Sequence, residues 1–320
     1  MTESSHTVPL PISVVVPVYN SKESLPLLTT RLKTVLQSQG RRWELILVDD
    51  GSRDGSWETI RLLTENSPQV RGISLMRNYG QHNALLCGIR AAKYDVIVTL
   101  DDDLQHPPEE IPKLLDKLAQ GFDVVYGLPH RTRHGLWREI ASWFTKLALH
   151  TVMGANTARK VSAFRVFDAK VRDAFVDCQT PFVSIDVLLT WGTNRFDAIH
   201  VQHDSRSIGA SNYTFRKLLV HALNMMTGFS TVPLQIASVV GFFFTIFGIG
   251  VLAYVLGRYL THGTPVPGFP FLASIIAIFS GAQLFSIGII GEYLARLHFR
   301  MMDRPSYVIR QEVTSCQDKE

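Results

Sequence analysis

The chain has 320 residues, 46% of them hydrophobic, with 32 lysines and arginines against 28 acidic residues and a formal net charge of +4. So mild a basic excess, with no dense basic block, argues against nucleic acid as a partner and suits an anionic membrane surface or a phosphate-bearing substrate. The cysteines, Cys87, Cys178 and Cys316, are scattered and odd in number; they suggest neither a disulfide framework nor a zinc site and fit a reducing compartment.

Residues 1–11 read as a flexible tail without the apolar core of a signal peptide, so a cleaved export signal is not expected. A strand is predicted over Ile12–Val18, then a helix over Leu25–Gln39 closed by Gly40. A second strand, Glu44–Val48, ends in Asp49-Asp50-Gly51-Ser52, and a helix follows over Ser56–Thr64. A third strand, Val70–Leu75, leads into Arg77-Asn78-Tyr79-Gly80 and a helix from His82 to Ala92. The fourth, Val96–Leu100, runs into Asp101-Asp102-Asp103-Leu104-Gln105, and the double proline at 107–108 announces a turn and a helix over Pro112–Gln120 before a strand at Asp123–Tyr126. Strands that end in polar loops, each feeding a helix, predict an α/β domain with a mostly parallel sheet and crossover helices.

No charged residue occurs from Pro233 to Gly257 or from Gly268 to Gly291. About 20 apolar residues span a hydrocarbon core, and neither stretch carries the polar stripe of a soluble core helix, so a transmembrane hairpin is expected. The expected organisation is a tail at 1–11, a cytoplasmic catalytic domain at 12–210, a juxtamembrane amphipathic segment at 211–231, helices at 232–257 and 268–294 around a short loop at 258–267, and a cytoplasmic tail at 295–320. Arg216 and Lys217 precede the first span and Arg296, Arg300, Arg304 and Arg310 follow the second, whereas the connecting loop has only Arg258 and His262; the positive-inside rule then puts both ends in the cytoplasm. Of two basic and aromatic stretches, Tyr213–Leu219 is the stronger candidate for the membrane surface, while Trp137–Val152 reads equally as a surface-lying helix or one packed on the domain. Gly241, Gly248, Gly281, Gly288 and Gly291 could pack the hairpin against a second copy, a homo-oligomer.

Four polar loops should meet at the C-terminal edge of such a sheet, where open α/β sheets place their ligands. Neither Gly-x-Gly-x-x-Gly nor a Gly-Lys-Ser/Thr phosphate loop is present, which argues against dinucleotide and P-loop enzymes. What remains is a nucleotide site built on carboxylates, one able to bond a base or ribose and a pair able to hold a hard cation on a diphosphate. Three adjacent carboxylates at 101–103 repel one another unless a cation compensates.

These residues carry a resemblance. Val16-Pro17-Val18-Tyr19-Asn20, Val48-Asp49-Asp50-Gly51-Ser52, Arg77-Asn78-Tyr79-Gly80-Gln81, Leu100 to Glu109, Phe164-Arg165 and Gly291-Glu292-Tyr293-Leu294-Ala295-Arg296 together resemble glycosyltransferase family 2 with the GT-A (Rossmann-like) fold. More narrowly the chain is similar to the polyprenyl-phosphate glycosyltransferases, a group that takes in dolichol-phosphate mannose synthases, bactoprenol glucosyltransferases and undecaprenyl-phosphate aminoarabinose transferases. The resemblance implies a UDP- or GDP-linked sugar as donor, a polyprenyl phosphate as acceptor, inversion at the anomeric carbon, and Mg²⁺ or Mn²⁺ held by Asp101 and Asp103 with help from Gln105. It implies donor contacts from Pro17, Tyr19, Asn20, Asp49, Asp50, Arg77, Asn78 and Asp102, the last standing where a small residue is usual and expected to point away from the ion or to add charge. An acceptor phosphate needs cations, and Arg131, Arg133, Arg165 and Arg206 are the candidates, with Ser211 beside them and Lys217 weaker. Asp101, Asp103, Arg165 and Arg206 form the expected catalytic set.

Three positions depart from the family pattern: Ser21 replaces a Glu, Ala163 an acidic residue proposed as base, and Asn212 a phosphate-binding Lys. A phosphate monoester is already ionised near neutral pH, its second pKa being about 6, so it needs positioning and charge compensation more than a base. A hydroxyl acceptor would need one, and Asp168 or Asp186 could supply it. Two alternatives follow: a hydroxyl-directed transferase of the same fold, and a catalytically silent member serving as membrane scaffold or sugar-lipid binder.

Overall fold

The computed structural model describes residues 10–129, 160–180, 183–204, 231–262 and 268–315. In chain order the elements are β1 (Ile12–Val18), α1 (Leu25–Ser38), β2 (Trp43–Asp49), α2 (Ser56–Glu65), β3 (Val70–Leu75), α3 (Gln81–Ala91), β4 (Val96–Thr99), α4 (Ile111–Leu118) after a 3-10 turn at Pro108–Glu110, and β5 (Val124–Pro129). Then come β6 (Arg165–Asp168), a 3-10 stretch at Ala169–Ala174, α5 (Ile185–Gly192), β7 (Phe196–Val201), the long helices α6 (Val232–His262) and α7 (Phe269–Met301), and β8 (Ile309–Val313).

The strands form one sheet in the order β7-β5-β6-β4-β1-β2-β3-β8. β4, β1, β2 and β3 run parallel, as do β5 and β7, while β6 lies antiparallel between β4 and β5 and β8 closes the far edge antiparallel to β3. β1 and β2 are buried along their whole length. Val14, Val16 and Val18 face one layer with Leu28 and Leu32 of α1 and Leu114 of α4; Val15, Ile46 and Ile97 face the other with Leu85 and Ile89 of α3 and Leu188 of α5. Burial on both faces is what a continuous apolar run dictates, in place of alternation.

The chain divides into two units, one of residues 1–214 with 303–320 and one of 215–302. In the second, Val232–Arg258 and Ile278–His298 are long and apolar enough to cross a membrane, and neither is buried. Phe279 of α7 meets Phe244 and Phe247 of α6, with ring centroids 5.7 and 6.5 Å away, and a Cβ on Gly248 would lie 2.9 Å from the Phe279 ring.

The organisation differs from the expectation at the C-terminus. α7 runs on to Met301, and β8 returns to the first unit as an edge strand where a tail was expected from residue 295. Its sequence, Ile-Arg-Gln-Glu-Val, is largely exposed and held by backbone pairing, so no apolar run marks it. Trp137–Val152 and Tyr213–Leu219 lie outside the described residues.

Candidate active site

The loops after β1, β2, β3 and β4 meet at the C-terminal edge of the parallel strands and are tied into a ring. From the first, Asn20 N–H donates to Ser52 Oγ of the second at 3.0 Å, and Asn20 Oδ1 accepts Arg53 N–H at 2.9 Å. Asn20 adopts φ 54, a left-handed conformation that asparagine tolerates better than most residues. From the second loop, Asp50 accepts two N–H groups of the third, Tyr79 at 2.7 Å and Gly80 at 2.8 Å, one on each carboxylate oxygen. The third reaches the fourth through Gln81, whose Nε2 donates to Asp101 Oδ1 at 2.5 Å. The fourth closes on the first, Asp102 Oδ2 accepting Tyr19 N–H at 3.2 Å.

Gly51 makes the ring possible. It has φ 72, and a Cβ there would stand 2.8 Å from both Arg77 C and Asn78 N, so the second and third loops touch backbone to backbone. The aspartate loop is fastened from below: Leu104 takes φ 61 and is buried in the core, and Asp103 Oδ1 accepts Gln105 N–H at 3.1 Å. Arg31 of α1 grips Glu109 through two bonds of 2.9 and 2.6 Å, holding the start of the following turn.

The profile of glycosyl transferase family 2 matches residues 13–178. Over 311 residues, 95% of this chain and 94% of the relative, the sequence is 35% identical to undecaprenyl-phosphate 4-deoxy-4-formamido-L-arabinose transferase of Pectobacterium carotovorum, and over 305 residues, 94% and 93%, it is 35% identical to the same-named protein of Salmonella paratyphi B. The chain belongs to glycosyl transferase family 2. Its fold is that of glucosyl-3-phosphoglycerate synthase from Mycobacterium tuberculosis, solved with Mn²⁺, UDP and phosphoglyceric acid, at TM-score 0.52 and 18% identity over 68% of this chain and 76% of that one. The fold is therefore GT-A, as the resemblance implied, and the protein is a glycosyltransferase.

Within this transferase the candidate donor residues fall into two sets. Tyr19, Asn20, Arg77 and Asn78 are exposed on the rim of the ring, with the Arg77 guanidinium 4.5 Å from the centre of the Tyr79 ring. Pro17, Asp49 and Asp50 lie beneath it, buried. Asp49 accepts Ser52 N–H at 3.1 Å and Ser74 Oγ–H at 3.3 Å. Asp50 was expected on a base or ribose; the structure shows both its oxygens holding the third loop, and burial pushes its pKa up to about 6 despite the two backbone donors.

Asp101, Asp102 and Asp103 are all half-buried. Asp102 turns toward the first loop, where burial raises its pKa above the usual carboxylate value against the pull of Ser21 and Tyr19. Asp101 and Asp103 with Gln105 offer oxygen donors of the kind Mg²⁺ and Mn²⁺ take. Among the described residues no three His, Cys, Asp or Glu side chains gather around one point, so any ion here would lean on its substrate for ligands. His106, next along, is 7% exposed and packed against Phe164 and His203 at ring distances of 5.5 and 5.1 Å; burial lowers its pKa to about 4 and keeps it neutral.

Arg165 takes a different place from the one expected. It is 1% exposed, its guanidinium paired with Asp186, which also accepts the Tyr126 hydroxyl at 3.2 Å. Asp186 is thereby spoken for as a base, and Asp168 pairs with Val96 across β4 and β6, at the opposite end of β4 from Asp101. Ala163 stands beside Asp101's strand, its carbonyl accepting Thr99 Oγ1–H at 3.0 Å. Arg131, Arg133, Arg206, Ser211, Asn212 and Lys217 lie outside the described residues. In the sequence Gln81 is one residue of the Arg77–Gln81 motif; its bond to Asp101 emerges only where the third and fourth loops lie side by side.

Proposed function

We propose that this protein transfers a sugar from a nucleoside diphosphate to a polyprenyl phosphate, undecaprenyl phosphate in a bacterium, with inversion at the anomeric carbon. The observation that carries the reading is that undecaprenyl-phosphate transferases match the chain over 95% of its length, apolar hairpin included, rather than over the sheet domain alone. The ring of loops supports it chemically, since its rim offers Tyr19, Asn20, Arg77 and Asn78 to a nucleotide and its floor offers two carboxylates.

Asp101 and Asp103, with Gln105, would hold Mg²⁺ or Mn²⁺ on the donor diphosphate. The ion supplies compensation for the charge that grows on the departing nucleoside diphosphate. The acceptor phosphate oxygen forms the new bond to the anomeric carbon, and the bond to the diphosphate breaks with its electron pair on the leaving oxygen. No proton need be removed from an acceptor already ionised near pH 7, whose second pKa is about 6. That accounts for Ala163 at the position of a base and for the enclosure of Asp186. Arg131, Arg133 and Arg206, with Ser211, are assigned to the acceptor phosphate. We assign the catalytic unit and both termini to the cytoplasmic side of the inner membrane, a reading that the arginines after the second span and the sparse charge of the connecting loop support.

The test is sugar transfer by the full chain purified in detergent. Undecaprenyl phosphate, Mg²⁺ or Mn²⁺ and labelled UDP- and GDP-sugars are supplied, an activated 4-deoxy-4-formamido-L-arabinose among them because of the relatives. Metal-dependent label in the lipid fraction, abolished by Asp103→Ala, is the expected result. Metal-dependent UDP or GDP binding with no label in any lipid would instead favour a binding role.

A further inference from the structure

The loop after β3 is fastened on three sides. Two have been described: the backbone contact with Gly51 and the Asp50 carboxylate on Tyr79 and Gly80. The third comes from the far end of the sequence. Both backbone polar groups of Met76, the first residue of the loop, are taken by the segment around β8: Met76 N–H donates to Val308 O at 2.9 Å, and Arg310 Nη2 donates to Met76 O at 2.8 Å. The geometry behind the second bond is a bulge. Ser74 pairs with Gln311 and Leu75 with Ile309, so Arg310 is the extra residue, and its side chain is redirected toward the loop. The rest of the segment is anchored independently. Arg71 bonds Glu312 at 2.8 Å and Glu44 at 2.9 Å, Ser306 Oγ donates to Thr180 O at 2.9 Å, and the Tyr307 ring lies 5.6 Å under the Arg90 guanidinium.

We propose that the strap formed by residues 306–313 is a positioning element of the donor site, and that Arg310 is its contact with the nucleotide-bearing loop. The strap is the chain immediately downstream of the second apolar helix, so the donor loop is braced by a segment that exists only once the hairpin has been synthesised. Bulges are common at sheet edges, and pairing with β3 alone calls for no arginine; here the bulge and the arginine act together. Both are spent on the first residue of the one loop that supplies Arg77, Asn78 and Gln81 to the site. The inference rests on the reading that these loops hold a nucleotide, and its test separates the two.

Full-length protein in detergent, as wild type, Arg310→Ala and Arg310→Lys, is titrated with UDP and with GDP in the presence of Mn²⁺, and hydrogen exchange is followed at residues 76–81. Arg310 is exposed, and exchange across β1 and β4 reports whether each variant is folded. Arg310→Ala should speed exchange at 76–81 while leaving β1 and β4 unchanged. It should weaken nucleotide binding about three- to tenfold, the worth of one hydrogen bond, and raise the donor KM with kcat nearly constant. Arg310→Lys, which can still donate to Met76 O, should restore most of both. Unchanged exchange at 76–81 in Arg310→Ala overturns the proposal, as does a binding loss that Lys does not repair. Should wild type bind neither nucleotide, the donor-site reading falls by itself and the exchange result alone decides whether the strap braces the loop.

Discussion

Gln81 Nε2 donates to Asp101 Oδ1 at 2.5 Å, so a helix N-terminus on one loop aims a carboxylate on the next. A hydrogen bond to a charged group contributes about 1.5–3 kcal/mol. Gln81→Ala should therefore lower kcat/KM about ten- to hundredfold if all of that bond is needed in the transition state. Gln81→Glu should do worse, because it sets a like charge against Asp101. Initial rates of sugar transfer at several Mg²⁺ concentrations check this; a Gln81→Ala enzyme as fast as wild type would show that Asp101 is aimed by other groups.

Asp102 offers the contrast. Its carboxylate accepts Tyr19 N–H from the first loop, and burial raises its pKa above the ordinary carboxylate value. Asp102→Asn keeps an oxygen for Tyr19 and removes a charge that costs energy to bury. Transfer should stay within about threefold of wild type, while Asp101→Asn and Asp103→Asn should each lose about a hundredfold or more, the scale of removing a group that stabilises charge in the transition state. Equal losses at all three positions would put Asp102 on the ion.

Asp50 makes stability depend on pH in an unusual direction. Its pKa rises to about 6 in the folded chain, from an ordinary value near 4. The folded state thus binds the proton more tightly, and the contribution of this group is fully present below about pH 4 and is lost as pH rises through 6. Asp50→Asn cannot titrate and gives up one of the two backbone donors at every pH. The melting temperature of wild type should exceed that of the variant by more at about pH 5 than at about pH 7.5. A gap that widens with pH would mean that the ionised carboxylate is the favoured form.

What could be read from sequence divides along physical lines. β1, β2 and β4 are buried on both faces, so Val14–Val18, Leu45–Val48 and Val96–Thr99 announce themselves as apolar runs, and the polar loops beyond them follow. β6 is buried but has only four residues and is framed by Arg165 and Asp168, too short and too charged at its ends to show an apolar run, while β8 is polar, exposed and held by backbone pairing with β3. The convergence of the four loops was legible. The ring that locks them was not, since it rests on long-range bonds such as Asp50 to Tyr79 and Gly80 and Gln81 to Asp101, and on the close approach of Gly51 to the third loop, none of which a local pattern announces. The partner of Arg165 was hidden for a related reason: an arginine in a phosphate-handling protein reads as a ligand, and only the fold brings Asp186, 21 residues on, against it as a buried ion pair.

That pair yields the last prediction. Removing one partner of a buried ion pair strands the other charge and costs about 3–5 kcal/mol, whereas replacing both with apolar residues of similar size is often neutral or better. Arg165→Ala should accordingly lower stability by about that amount, leaving Asp186 with the Tyr126 hydroxyl for company, and the double variant Arg165→Met with Asp186→Leu should recover most of it. Turnover separates the two roles that an arginine here can have. If the pair is architectural, the double variant, once folded, transfers sugar within about tenfold of wild type, because the loops above it keep their places. A double variant with a wild-type urea midpoint and no transfer would return Arg165 to the acceptor phosphate.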